Sequence, residues 1–286
     1  MNLPSVVYVN GRRVADGEVP TISLFDRGYL LGDSIFATMR CIDGKVFRWH
    51  RHLERFKRAA AWANYVLTPT DEDITRVVHE AGGRVEASDV TLRLTASRGV
   101  GPPGARSNAP LVATWSVFAR PTAAASEEAY REGIDTLIVE TPKVPRRCLP
   151  AEHKIGNYVS SLVALQEANA AGALEGIQTS LDGRLSSGCM SNLFVVFDRE
   201  LHTPSTDADC RPGVTREVIL SLASEAGLRA VERDMHPDEL GRATEAFFVS
   251  TLLDVLPIRS VASKALYVST AICADLRRRL VELRAR

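Results

Sequence analysis

Strand-like and helix-like stretches interleave along this chain from end to end, and that interleaving constrains its fold more than any other feature. Residues 6–9 alternate as a short strand and run into Asn10-Gly11, a tight hairpin signal. Ile35 to Arg40 and Val46 to Trp49 read as two further strands, with Asp43-Gly44 as the turn between them. Residues 51–64 carry helical periodicity that points Leu53, Phe56, Ala60 and Trp62 toward a core, and 72–81 predict a second helix. Thr91 to Ser97 and Leu111 to Phe118 are strand-like, separated by a loop at 99–108 that is rich in Gly and Pro. Further on, strands are expected at 133–140, 176–180, 192–197 and 246–250. They alternate with helices at about 157–171, 214–227 and 269–285, the first of them read as amphipathic. Both halves mix the two element types, so the expected class is α/β (α+β) with two domains. The small, alanine-rich stretch from Pro121 to Ser126 is the natural joint. It gives a smaller N-terminal α/β domain over 1–120, a linker over 121–127 and a larger C-terminal domain over 128–286.

The 286 residues are 45% hydrophobic and 24% charged, with zero formal net charge, so no global field recruits nucleic acid or a membrane surface. No apolar run approaches the roughly 20 residues of a spanning helix. The N-terminus lacks a basic region followed by a long apolar one, so no signal peptide is expected. Five scattered cysteines without metal-ligand spacing predict reduced thiols, a cytoplasmic location and no metal site.

Glu152-His153-Lys154-Ile155-Gly156-Asn157-Tyr158 is read as opening the helix at about 157, after a loop rich in Pro and Arg. A lysine placed there is either a solvated surface charge or a nucleophile whose pKa a pocket lowers, able to bond an aldehyde cofactor. Five other segments are likewise open. Arg211-Pro212-Gly213-Val214-Thr215 is an ordinary helix start or a phosphate site made by free N–H groups. His52 and Arg55, three apart on one helix face, form a solvated basic face or a phosphate grip. Ser250-Thr251 ends an apolar strand as turn residues or as phosphate-binding hydroxyls. Asp26-Arg27-Gly28 through Phe36 is a structural turn cluster or a substrate-facing loop. Gly183 to Phe194 is a small-residue loop entering a buried strand, where backbone can approach a planar ligand closely.

Taken in this order, the segments resemble the class IV aminotransferases, the fold type IV group of pyridoxal 5′-phosphate (PLP) enzymes. The resemblance runs from Asp26-Arg27-Gly28 to Pro257. It implies a two-domain architecture with the cofactor between the domains, and a homodimer. Lys154 would hold PLP as a Schiff base and shuttle protons, in the C-terminal domain. Arg55, the N–H groups of Val214 and Thr215, and the hydroxyl of Thr251 would bind the phosphate. Tyr158 stands where the branched-chain members place a tyrosine near the phenolic oxygen. Phe36, Arg40 and Arg98 fall where members line the substrate pocket, the two arginines as carboxylate binders. The partners implied are an amino donor and a keto acceptor, both small molecules.

One departure matters. The family pattern has glutamate facing the pyridine nitrogen, and here that position is Ser187. A carboxylate there keeps the nitrogen protonated, and the protonated ring is the better electron sink. The expected activity is therefore a PLP-dependent aminotransferase acting on a small amino acid or amine. Two alternatives are a lyase of the aminodeoxychorismate type releasing pyruvate, and a PLP-binding protein with reduced turnover.

Overall fold

The computed structural model describes residues 5–102, 111–266 and 270–286. The chain divides into two compact units. One runs to Ala123 and takes in His153–Asn157; the other comprises Ala124–Glu152 and Tyr158–Arg286.

The first unit is built from β1 (Val6–Val9), β2 (Arg12–Arg13), α1 (Arg27–Leu31), β3 (Ser34–Ile42), β4 (Lys45–Val46), α2 (Trp49–Trp62), α3 (Asp71–Gly83), β5 (Asp89–Ser97) and β6 (Trp115–Pro121). Its strands form one antiparallel sheet in the order β2-β1-β6-β5-β3-β4. Both expected turns are present, with positive φ at Asn10, Gly11, Asp43 and Gly44. Alternation along β3 sorts its side chains by face. Ile35, Ala37, Met39 and Cys41 join Leu92, Leu94, Val117 and Ala119 in a core with Leu53, Phe56, Val77 and Val78 of the helices. Phe36, Thr38 and Arg40, and across the pairing Thr91, Arg93 and Thr95, belong to the opposite face. Thr70 and Asp73 close a reciprocal capping box at the start of α3.

Several boundaries differ from the sequence reading. The strand expected at 46–49 ends at Val46, because Trp49 already begins α2. Trp62, expected in the core, is 46% exposed at the end of α2 and stacks on His153 with 5.1 Å between ring centroids. The strand expected from Leu111 begins at Trp115. Residues 103–108 of the expected loop, and position 269 at the start of the last expected helix, lie outside the described residues.

The second unit holds α4 (Glu127–Glu132), β7 (Ile134–Thr136), α5 (Val159–Ala170), β8 (Ile177–Thr179), β9 (Leu185–Gly188), β10 (Asn192–Phe197), β11 (Glu200–Pro204), α6 (Val214–Ala223), β12 (Arg229–Arg233), β13 (Glu245–Ser250), β14 (Asp254–Val261), β15 (Lys264–Ala265) and α7 (Ala271–Ala285). Its main sheet runs β12-β11-β10-β13-β14-β15, with β7 added parallel to β14 and β8-β9 as a separate hairpin. The run Leu193-Phe194-Val195-Val196 is fully buried, as a continuous apolar segment inside a sheet must be. The carboxylate of Glu245 accepts the N–H groups of Ile272 (3.0 Å) and Cys273 (2.9 Å), satisfying the start of α7.

Two expectations fail here. Residues 152–157 are not the opening of a helix; α5 starts at Val159, with Tyr158 as its cap. Nor is α5 amphipathic in the expected sense. Its buried residues are alanines, Ala164 and Ala168, packed with Val139, Ala173 and Cys189, while Val159 (72%), Leu162 (47%) and Val163 (41%) face outward. Gly176 shows how close the approach is: a Cβ there would lie 2.6 Å from Val139 and 3.1 Å from Ala168. The expected 183–194 loop contains a strand, β9, whose four residues are all buried. Among the described residues, no helix is long and apolar enough to cross a membrane.

Candidate active site

In the first unit, Lys154 is held by backbone pairing rather than by a helix. The Phe36 N–H donates to the Lys154 carbonyl (2.8 Å), the Gly156 N–H donates to the Ser34 carbonyl (2.6 Å), and Ile155 bridges antiparallel to Ile35. Space at Gly156 is tight: a Cβ would overlap the Ser34 hydroxyl unless that side chain turned away, and would lie 3.2 Å from the Gly32 carbonyl. This pairing sets the Lys154 ammonium 4.8 Å from the centre of the Phe36 ring, and the Arg93 guanidinium stands 3.7 Å from the same centre.

On α2, His52 and Arg55 are both buried. Burial, then the charge of Arg55, then that of Lys154, drives the His52 pKa down to about 3, so the imidazole is neutral. Its Nδ1 is buried with no hydrogen-bond partner among the described residues. The neighbourhood is thus rich in positive charge and has a polar atom in reserve.

The two arginines expected to take a substrate carboxylate already hold carboxylates of this chain. Arg40 pairs with Asp89, its Nε donating at 2.7 Å. Arg98 pairs with Asp33, its Nε donating at 2.6 Å, and lies 4.8 Å from the Tyr65 ring centre. Asp33 also accepts from the Tyr65 hydroxyl (2.8 Å) and from Arg27 (3.3 Å). Burial opposes the ionisation of Asp33, but these donors outweigh it and hold its pKa below the usual carboxylate value. Asp26 caps α1 through the Gly28 N–H (2.8 Å) and accepts the Ser97 hydroxyl (2.8 Å). Asp26 thus ties the Asp26-Arg27-Gly28 turn to β5. No motif singles out Arg93 in the sequence; its signal is the strand alternation that puts it on the same sheet face as Phe36.

In the second unit, α6 begins at Val214 with Gly213 as N-cap and no side chain capping it. A Cβ on Gly213 would overlap the Asn192 side chain, so the backbone runs close there. Val214 and Thr215 are buried and supply the first N–H groups of the helix. The Ser250 hydroxyl accepts the N–H groups of Leu252 (3.3 Å) and Leu253 (3.1 Å), shaping the turn that carries Thr251. Tyr158 caps α5, with the Arg211 guanidinium 5.9 Å from its ring centre.

Ser187 is fully buried on β9, opposite Gln178. Its hydroxyl donates to the Gly188 carbonyl (2.8 Å). Lys143, absent from the sequence reading, donates from Nζ to Gln178 Oε1 (3.1 Å) and toward the same Gly188 carbonyl (3.4 Å). Gln178 is fixed in turn by donating to the carbonyls of Thr141 (3.1 Å) and Pro142 (3.3 Å). Among the described residues, no group of three or more His, Cys, Asp or Glu is placed to hold a metal ion.

The amino-transferase class IV family profile matches residues 34–261. This chain belongs to the class IV aminotransferases. The branched-chain-amino-acid aminotransferase of Pseudomonas aeruginosa is 30% identical over 242 residues, 80% of this chain and 76% of that one. The Escherichia coli K12 enzyme of the same name is 27% identical over 267 residues, 89% and 84% of the two chains. The crystal structure of the branched-chain aminotransferase of Thermoproteus uzoniensis, solved with norvaline, matches with a TM-score of 0.89 at 25% identity, over 98% of this chain and 95% of that one.

Class IV aminotransferases use PLP, and the donor set of this chain fits that group. A phosphate calls for cationic and N–H donors; the first unit offers the buried guanidinium of Arg55, and the second offers the start of α6, which no side chain caps. An aldehyde needs a primary amine, met by Lys154.

Proposed function

We propose that this class IV aminotransferase transfers the amino group of a small amino acid or amine to a keto acceptor, with Lys154 as the residue that carries PLP. The observation that carries this reading is the pairing of residues 154–156 with β3, which fixes the lysine beside Phe36, Arg93 and the buried His52–Arg55 pair. The free amine of a lysine is the nucleophile that an aldehyde takes.

Arg55, the N–H groups of Val214 and Thr215, and the Thr251 hydroxyl hold the phosphate. Tyr158 faces the phenolic oxygen, and Ser187 stands at the ring nitrogen. PLP supplies an aldehyde that accepts the amino group and a conjugated ring that takes up electron density from the substrate carbon. Lys154 Nζ receives and returns the proton of that carbon. Phe36 lines the substrate side with Arg93, which extends over the same ring as Lys154 and so is suited to a substrate carboxylate close to the amine. Arg40 and Arg98, tied to Asp89 and Asp33, frame that side. The names of the two relatives make branched-chain amino acids the first donors to try.

Five free cysteines support a cytoplasmic location. The exposed apolar residues Val19, Ile22, Leu24 and Phe25 support a homodimer. The test is direct. Purified protein supplied with PLP should be yellow, borohydride should fix the cofactor to Lys154, and a donor without acceptor should bleach the colour to the pyridoxamine form. A colourless protein, or attachment elsewhere, overturns the assignment, and Lys154→Ala should abolish both colour and turnover.

A further inference from the structure

Resting on that reading of Ser187, we propose that Lys143 is the ionisable group behind the ring-nitrogen position, and that the bound cofactor keeps its pyridine nitrogen as an unprotonated acceptor. The Ser187 hydroxyl and the Lys143 ammonium both direct hydrogens to the Gly188 carbonyl, and Gln178 sits across the strand pair. These are hydrogen-bond donors and neutral acceptors. A pyridinium would bring a positive charge close to the Lys143 amine, with no carboxylate at position 187 to offset it. A neutral pyridine brings a lone pair, which a hydroxyl or an ammonium satisfies.

One carboxyl lies among the other ionisable groups near Lys143, that of Glu175 beside Gly188, and it is engaged by backbone N–H groups. Arg211 is cationic, and Tyr158 offers a phenol. Burial pushes the thiol of Cys189 up to about 12 and that of Cys210 above its ordinary value, so both stay neutral. Glu175 is 3% exposed, its Oε1 accepts the Met190 N–H (3.1 Å), and burial raises its pKa. Asp182 pairs with Arg184. Lys143 itself is half-buried, and desolvation lowers its pKa, leaving it cationic or neutral but never anionic. Substituting serine for glutamate therefore does more than remove a negative charge: the charge left behind the position is a basic one.

The experiment loads the full-length protein with PLP carrying ¹⁵N at the ring nitrogen. Colour and borohydride attachment to Lys154 come first; their absence sinks the assignment of Lys154 and is distinct from the nitrogen measurement. In the loaded wild type the ¹⁵N resonance should fall in the neutral-pyridine range at neutral pH. A resonance in the pyridinium range overturns the proposal. Ser187→Glu should move it to the pyridinium range, and no movement would show that this position does not face the nitrogen. Lys143→Met should raise the pH at which the nitrogen takes up a proton by about one unit, the scale of a lost like-charge neighbour. An unchanged titration in a folded, loaded variant would leave Lys143 a packing role and overturn its part. Should Lys143→Met fail to fold, the wild-type and Ser187→Glu resonances still decide the matter.

Discussion

At the residue scale, His52 shows how burial and charge set a protonation state that sequence spacing could not. The pair His52 and Arg55 is visible in the sequence as one helix face, but neutrality of the imidazole depends on its burial and on Lys154, about a hundred residues away in sequence. The consequence for stability has a definite sign. The folded pKa, about 3, lies below the ordinary value of 6.5, so between those values the unfolded chain binds the extra proton and stability falls as pH falls. From pH 7 to pH 5 this amounts to about 2 kcal/mol. His52→Gln should remove that much of the wild-type loss between the two pH values, as read by urea unfolding; identical pH dependence in both proteins would show that the imidazole is not buried neutral. The roles proposed for Lys154, Arg55 and Ser187 come from motifs in the sequence. Arg93 and Lys143 were not legible there: one acquires its place from strand alternation, the other from a loop between Pro142 and Pro145 that says nothing about burial.

At the element scale, short-range signals were reliable and long-range ones were not. The Asn-Gly and Asp-Gly turns and the α3 capping box are encoded within four residues. The stretch expected to open the helix at about 157 instead pairs with β3, a partner over a hundred residues back. Gly156→Ala tests that pairing. The new methyl would press on the Ser34 side chain and lie 3.2 Å from the Gly32 carbonyl, displacing the lysine. Turnover should drop about tenfold or more, with the far-ultraviolet dichroism unchanged; full activity would show that the lysine does not depend on this contact. Gly99→Ala is a stability test. With φ at +101° and a Cβ that would overlap the Val112 carbonyl, it should cost about 2–3 kcal/mol by denaturant titration. On α7, Arg284 forms a buried ion pair with Asp254 at the start of β14, each side chain 3% exposed. Arg284→Met should cost roughly 3 kcal/mol, because it leaves a carboxylate buried without this partner.

At the scale of the whole molecule, the apolar run before α1 is exposed among the described residues. Val19 (76%), Ile22 (54%), Leu24 (69%) and Phe25 (53%) would sit in water. In the proposed homodimer they are covered, and replacing Leu24 and Phe25 together with Asp should shift sedimentation from dimer to monomer. A wild type that sediments as a monomer at micromolar concentration refutes the dimer outright. By itself, the sequence determined most of the element types, the mixed class and the family, because each is written in local periodicity, turn chemistry or contiguous motifs. Only tertiary structure decided that Lys154 is aligned by β3, that Arg40 and Arg98 are occupied by Asp89 and Asp33, and that a half-buried lysine accompanies Ser187. Those facts depend on which distant residues share a strand register or a buried volume, and no window along the chain contains them.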